Sequence, residues 1–237
     1  MASLPALGSP TLLLFPTELE RRRFRDQGGL APGFALRAIA GFGPIAAAAR
    51  TSQLIAEVRP ARVLLLGIAG AYDIGRNPIG TALAFSTVAV DGIGAGQGRS
   101  FQGPPALGFP QWPGSPATTE RPVQDRLPLA LPESGGAEAG LLLTTCAASD
   151  STDHAAERLE RFPAAVAEDM EGFAVALACA LAGVPCAIVR GISNLVGDRE
   201  PSRWRIPAAL AEARRVALAA LEDPAWAAPA PIGEAAE

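Results

Sequence analysis

The chain contains no lysine: all 20 of its basic residues are arginine. That excludes Schiff-base chemistry through a lysine amine, the phosphate-cradling lysine of a P-loop and a Ser-Lys hydrolytic pair. Histidine is almost as scarce, with one in 237 residues, so a His-based triad or metal site has too few members. Cysteine occurs only at Cys146, Cys179 and Cys186, in apolar surroundings and without metal-ligand spacing. Buried thiols in a reducing cytoplasm are the expectation, and neither a metal nor a cofactor is expected. Positive charge is not in surplus either. The net charge is −4, with no basic stripe, which argues against a nucleic-acid partner. The apolar run over 173–189 is slightly short for a membrane span, and Gly183-Val184-Pro185 breaks it into helix and strand. The apolar stretch at 12–15 is too short for a signal peptide. No membrane association and a cytoplasmic location are therefore expected.

What is present is enough to build a core. Hydrophobic residues make up 49% of the chain but aromatics only 5%, so Ala, Leu and Val must carry the packing. Strands are expected at 11–15, 34–40, 63–67, 81–90, 141–145 and 184–189, and helices near 18–27, 45–58, 155–161, 173–181 and 203–222. This alternation predicts an α/β fold, a single three-layer domain over 11–222 with a mixed or mostly parallel central β-sheet flanked by helices. Residues 1–10 and 223–237 read as loose termini, and the Pro/Gly-rich stretch 99–136 as a lid or interface loop.

Polar chemistry concentrates in EDMEGFAVALACALAGVPCAIVRGISNLVGDR at 168–199. Asp169 and Glu171 open an all-apolar helix, whose positive dipole end favours negative charge. Gly183 stops that helix. A buried strand then leads into Arg190, Ser193, Asn194, Asp198 and Arg199. Polar residues directly after a buried strand belong at the carboxyl edge of an α/β sheet, where ligands bind. Glu20 has two readings: it stands three residues after Thr17, the spacing of a capping box, or it points into a cleft past the first strand. The small residues of 68–71 would let backbone approach a ligand closely. GIGAGQG at 92–98 does not satisfy G-x-G-x-x-G and opens no helix, so it reads as a loop.

Taken together in this order and spacing, Glu20, LLLGIAGAY at 64–72, EDMEG at 168–172 and VRGISN at 189–194 resemble the purine nucleoside phosphorylase and nucleosidase superfamily, over about residues 11–222. Within it, the FPTELE start, EDMEGFAVA and the GISN loop ending in VGDRE are similar to the futalosine hydrolases, nucleosidases of menaquinone biosynthesis. The resemblance implies cleavage of a purine N-glycosidic bond in a small-molecule nucleoside. It also implies a homo-oligomer, at least a dimer, whose neighbouring subunit closes the pocket around the 5′ group. Carried onto matching positions, Glu171 would bind the ribose hydroxyls with the Met170 backbone beside it, and Glu20 would take a proton from the attacking water. Asp169, Ile68, Ala69, Gly70, Ser193 and Arg190 would complete the substrate-binding set. Asn194 stands where adenine-specific members carry an aspartate. A 6-oxopurine presents two acceptors, N7 and O6, to which an asparagine NH₂ can donate, so hypoxanthine (or guanine) is the implied leaving base. Ala148 stands where adenosine-type members place an aromatic ring, leaving stacking to Tyr72 or the 99–136 segment. Futalosine carries an aryl carboxylate at its 5′ end, for which Arg99, Arg121 and Arg126 are candidates. The competing readings are another purine nucleosidase or phosphorylase (acting on inosine or methylthioadenosine), a non-catalytic nucleoside-binding protein, and, for Asn194 alone, a turn cap.

Overall fold

The computed structural model describes residues 10–28, 35–115, 122–132, 138–223 and 226. Arg121 and most of both expected loose termini lie outside them. The strands are β1 (Thr11–Phe15), β2 (Leu36–Ile39), β3 (Arg62–Ala71), β4 (Ala82–Asp91), β5 (Arg126–Pro128), β6 (Glu138–Thr145), β7 (Ala165–Asp169) and β8 (Cys186–Leu195). The helices are α1 (Glu18–Asp26), α2 (Gly43–Val58), the short α3 (Pro104–Leu107), α4 (Thr152–Arg161), α5 (Gly172–Ala182) and α6 (Ile206–Glu222). The α/β class and the mixed sheet agree with expectation.

The sheet curls back on itself. β3 pairs parallel with β8, β8 antiparallel with β4, β4 parallel with β6, and β6 parallel with β7; β7 then returns antiparallel to the end of β3. Five strands thus close a ring, to which β1 and β2 add on one side and β5 on another. Alternation along the apolar strands sends neighbouring residues into different core clusters. Leu12, Leu14, Val63, Leu65 and Ile188 pack in one cluster with α2 and α5. Leu13, Phe15, Leu64, Leu66 and Val189 pack in another with Ala213, Val216, Ala217 and Ala220 of α6. Helix α6 crosses β8 so closely that a Cβ on Gly191 would collide with the Ala209 carbonyl.

Several expectations shift. The strand expected at 63–67 runs on through 68–71, the second half of β3, which bulges between Ala69 and Gly70 as it passes along β8. Asp169 and Glu171 do not open the first turn of α5: Asp169 ends β7, a strand unexpected from sequence, and Glu171 is the N-cap residue. Arg190, Ser193 and Asn194 lie within β8, not in a loop after it. The stretch 99–136 supplies β5 and a Trp112–Val123 bridge. Cys179 and Cys186 are buried as expected, but Cys146, in the loop after β6, is exposed. The single histidine, on α4, has Nδ1 3.2 Å from Asp150 and is absent from the lining of the cleft described below.

Candidate active site

The parallel strands β1, β3 and β8 end on one edge of the sheet, and the helices that follow β1 and β7 begin there. Between these ends lies a cleft of about 320 Å³. Glu20, Ile68, Ala69, Gly70, Asp169, Met170, Glu171, Ser193 and Asn194 all line it, so residues scattered over 175 positions of sequence converge as expected.

Both readings of Glu20 hold. Its Oε2 accepts from the Thr17 amide at 3.0 Å and the Thr17 hydroxyl at 2.6 Å, while Thr17 Oγ1 accepts from the Glu20 amide, a complete capping box on α1. Its Oε1 accepts from the Ile68 amide at 3.1 Å. The side chain is 4% exposed and lines the cleft. Burial raises its pKa above the usual carboxylate range, against the pull of Arg190 and three hydrogen bonds. A buried carboxylate with a raised pKa is suited to accept a proton near neutrality.

Arg190 organises the floor. It is fully buried and bonds Asp169 Oδ2 through Nε at 3.0 Å and through Nη2; Nη2 also lies 3.5 Å from Glu171 Oε2. Burial alone would lower its pKa, yet Asp169, Glu171 and Glu20 together carry it above the ordinary value. It is absent from the cleft lining, so the assignment as a substrate contact gives way to a role beneath the carboxylates. Gly67 is glycine because a Cβ there would run into the Arg190 guanidinium and Glu20.

Asp169 is equally committed. Thr144 donates to its Oδ1 at 2.6 Å, and the Gly172 amide to its Oδ2 at 2.9 Å, so it anchors the start of α5. Glu171 is more open. Its Oε1 accepts from the Gly43 amide at the start of α2, at 3.0 Å. Burial, helped by Asp169 and opposed by Arg190, raises its pKa to about 7.

At the other end, Ser193 Oγ lies 2.7 Å from Asn194 Oδ1 and 3.2 Å from the Ala69 carbonyl. Asn194 Nδ2 donates to the Leu195 carbonyl at 2.8 Å. One amide N–H is therefore spoken for, and in this conformation Asn194 can offer the other to one purine acceptor, not to both N7 and O6. Tyr72 does not reach the cleft. Its hydroxyl donates to Glu168 at 2.8 Å, in a buried network where Arg158 also holds Ser149, Glu168 and Asp91. No described residue of 99–136 lines the cleft; Arg99 pairs with Glu160 and Arg126 lies over Phe162. Sequence reasoning missed Phe42, Trp204, Ile206 and, as a cleft residue, Arg199. Their one signal was the polar run that ends at Arg199, with Trp204 five residues on.

The family model described as Phosphorylase superfamily matches residues 33–223. A futalosine hydrolase of Streptomyces coelicolor is 35% identical over 73% of this chain and 72% of its own length. One from Thermus thermophilus is 31% identical over 86% of this chain and 92% of its own length. The chain belongs to the futalosine hydrolase group of the phosphorylase superfamily. As a member of that superfamily it also shares its fold with the 5′-methylthioadenosine/S-adenosylhomocysteine nucleosidase of Neisseria meningitidis, solved in complex with methylthio-immucillin-A. The TM-score is 0.70 at 20% identity, covering 90% of this chain and 98% of that one. Among the described residues, no group of three or more His, Cys, Asp and Glu side chains could hold a metal ion, and no helix is long and apolar enough to cross a membrane.

Proposed function

We propose that this chain hydrolyses the N-glycosidic bond of futalosine, releasing hypoxanthine and dehypoxanthine futalosine in menaquinone biosynthesis. The observation that carries the reading, beside the family, is that Glu20 and Glu171 line the same cleft as Asn194. In the reaction, Glu20 takes a proton from water as the water oxygen bonds to C1′. The C1′–N9 bond breaks, its electron pair leaves with the purine, and the base takes up a proton from solvent. Glu171 holds the ribose hydroxyls, and its charge favours the cationic ribose of the transition state over the neutral substrate. Three carboxylates around one guanidinium leave surplus negative charge to meet that cation. Asn194 donates to the departing 6-oxopurine, held in orientation by Ser193.

Phosphorolysis fits less well. Among the described residues Arg199 is the one arginine that lines the cleft, whereas a bound phosphate needs several donors around it. The adenine-releasing alternative meets an asparagine where a protonated aspartate would serve it. The chain is further proposed to act in the cytoplasm as a homo-oligomer. Phe42, at the cleft, and Ile45, three residues on, are 68% and 86% exposed and are the apolar surface a second copy would cover.

Turnover in ¹⁸O-labelled water tests the reaction class. Label in the anomeric hydroxyl of the sugar product, with no phosphate required, is expected; a sugar 1-phosphate would overturn hydrolysis.

A further inference from the structure

The cleft is chemically lopsided. Among the described residues four carboxylates line it, those of Glu20, Glu168, Asp169 and Glu171, with Arg190 and Arg158 already committed to them from beneath, and Arg199 is the one guanidinium in the lining. An anionic group on a ligand is repelled from the deep end and has one place to go. Arg199 lies in the segment after β8, exposed at the cleft rim. Its guanidinium carbon stands 5.1 Å from the centroid of the Trp204 ring, and the Trp204 Nε1 donates to the Asp198 carbonyl at 3.0 Å, fixing the ring against the chain that carries the arginine. The neighbouring acids leave Arg199 alone: Asp198 faces Arg203 at 3.6 Å, and Glu200 accepts from Ser202. A planar cation laid on an indole keeps its donor edge available, and that edge matches a carboxylate with two parallel hydrogen bonds.

We infer that Arg199, supported by Trp204, is the specificity residue that anchors an anionic aromatic substituent on the 5′ carbon of the nucleoside. The inference rests on the reading of the chain as a futalosine-cleaving enzyme and names the part of the site that selects that substrate. Arg199 takes precedence over Arg99 and Arg126, which are engaged away from the cleft; Arg121 lies outside the described residues. The tryptophan face gives the aryl ring an apolar surface beside the cation, so ring and carboxylate are read together.

The test compares futalosine with its carboxyl methyl ester on the wild-type enzyme and on Arg199→Gln. The wild type is expected to prefer the free acid by ten- to a hundredfold in kcat/KM, with the difference in KM and shrinking as salt is raised. Arg199→Gln should bring acid and ester within about twofold while keeping kcat on the ester. A wild type that treats the two alike, or a variant that retains the preference, overturns the assignment. Should the wild type cleave neither compound, the proposed reaction falls separately. Calorimetric binding of the same two compounds then still decides Arg199 by the same acid-to-ester ratio.

Discussion

Replacing Glu20 by glutamine separates its two roles by magnitude. The carboxylate accepts three hydrogen bonds, from the Thr17 amide, the Thr17 hydroxyl and the Ile68 amide. A glutamine offers one oxygen. If that oxygen stays with Thr17, its NH₂ faces the Ile68 N–H, donor against donor, and a buried amide loses its partner at about 1–3 kcal/mol. For a chain of this size each kcal/mol lowers the melting temperature by about 2–4 °C, so a fall of roughly 2–12 °C is expected. The same change removes the proton acceptor for water, which costs roughly 10²–10⁴ in rate. Nucleoside binding should survive, because Glu171 and Asn194 are untouched. The assay pairs hypoxanthine release with a thermal melt and a binding titration. A variant that melts lower but turns over within threefold of the wild type would reduce Glu20 to a helix cap and refute the assignment as base.

Asn194→Asp places a carboxylate against a base edge that presents two acceptors; 6-oxopurine cleavage should fall by about 100-fold or more, with a relative gain on 6-aminopurine nucleosides, and equal losses on both would undercut the base-reading role. Glu171 must be ionised to stabilise a cationic ribose, and its pKa is raised to about 7, so kcat/KM should rise with pH through about 7. The stability term runs the other way: a carboxyl with a raised folded-state pKa contributes stability that is present below its unfolded value and lost as pH rises through about 7. Flat activity from pH 5.5 to 8 would contradict the first. Gly191→Ala drives a methyl group into the Ala209 carbonyl and should destabilise by about 1–3 kcal/mol, read as a lower denaturation midpoint; an unchanged midpoint would mean that α6 yields without strain.

Much of this was legible because the chain repeats its meaning at several levels. Thr17 and Glu20 carry their capping box in their spacing, and the run 173–182 is apolar on every side because α5 is buried almost all round. The six expected strands fall where apolar, β-branched runs fall. β7 escaped because its five residues end in Glu168 and Asp169, charges that suggest a helix start, and only their three-dimensional partners explain two acids at a buried strand end: Arg158, Ser149 and Tyr72 for Glu168, and Arg190, Thr144 and Gly172 for Asp169. β5 escaped because three residues in a Pro-rich stretch carry no periodicity, and their strand identity comes wholly from pairing with β4. The same limit applied to side-chain direction. Tyr72 and Arg190 looked like ligand contacts by position, yet one points back to Glu168 and the other lies beneath the floor. Phe42, Arg199 and Trp204 belong to the cleft only through the way the chain folds around it.

Futalosine hydrolysis is tested most directly by free base released from futalosine, inosine and methylthioadenosine, each with and without phosphate. Rapid hypoxanthine release from futalosine that ignores phosphate is expected, with little or none from the other two. Adenine release from methylthioadenosine at a comparable rate, or turnover only when phosphate is present, would contradict it.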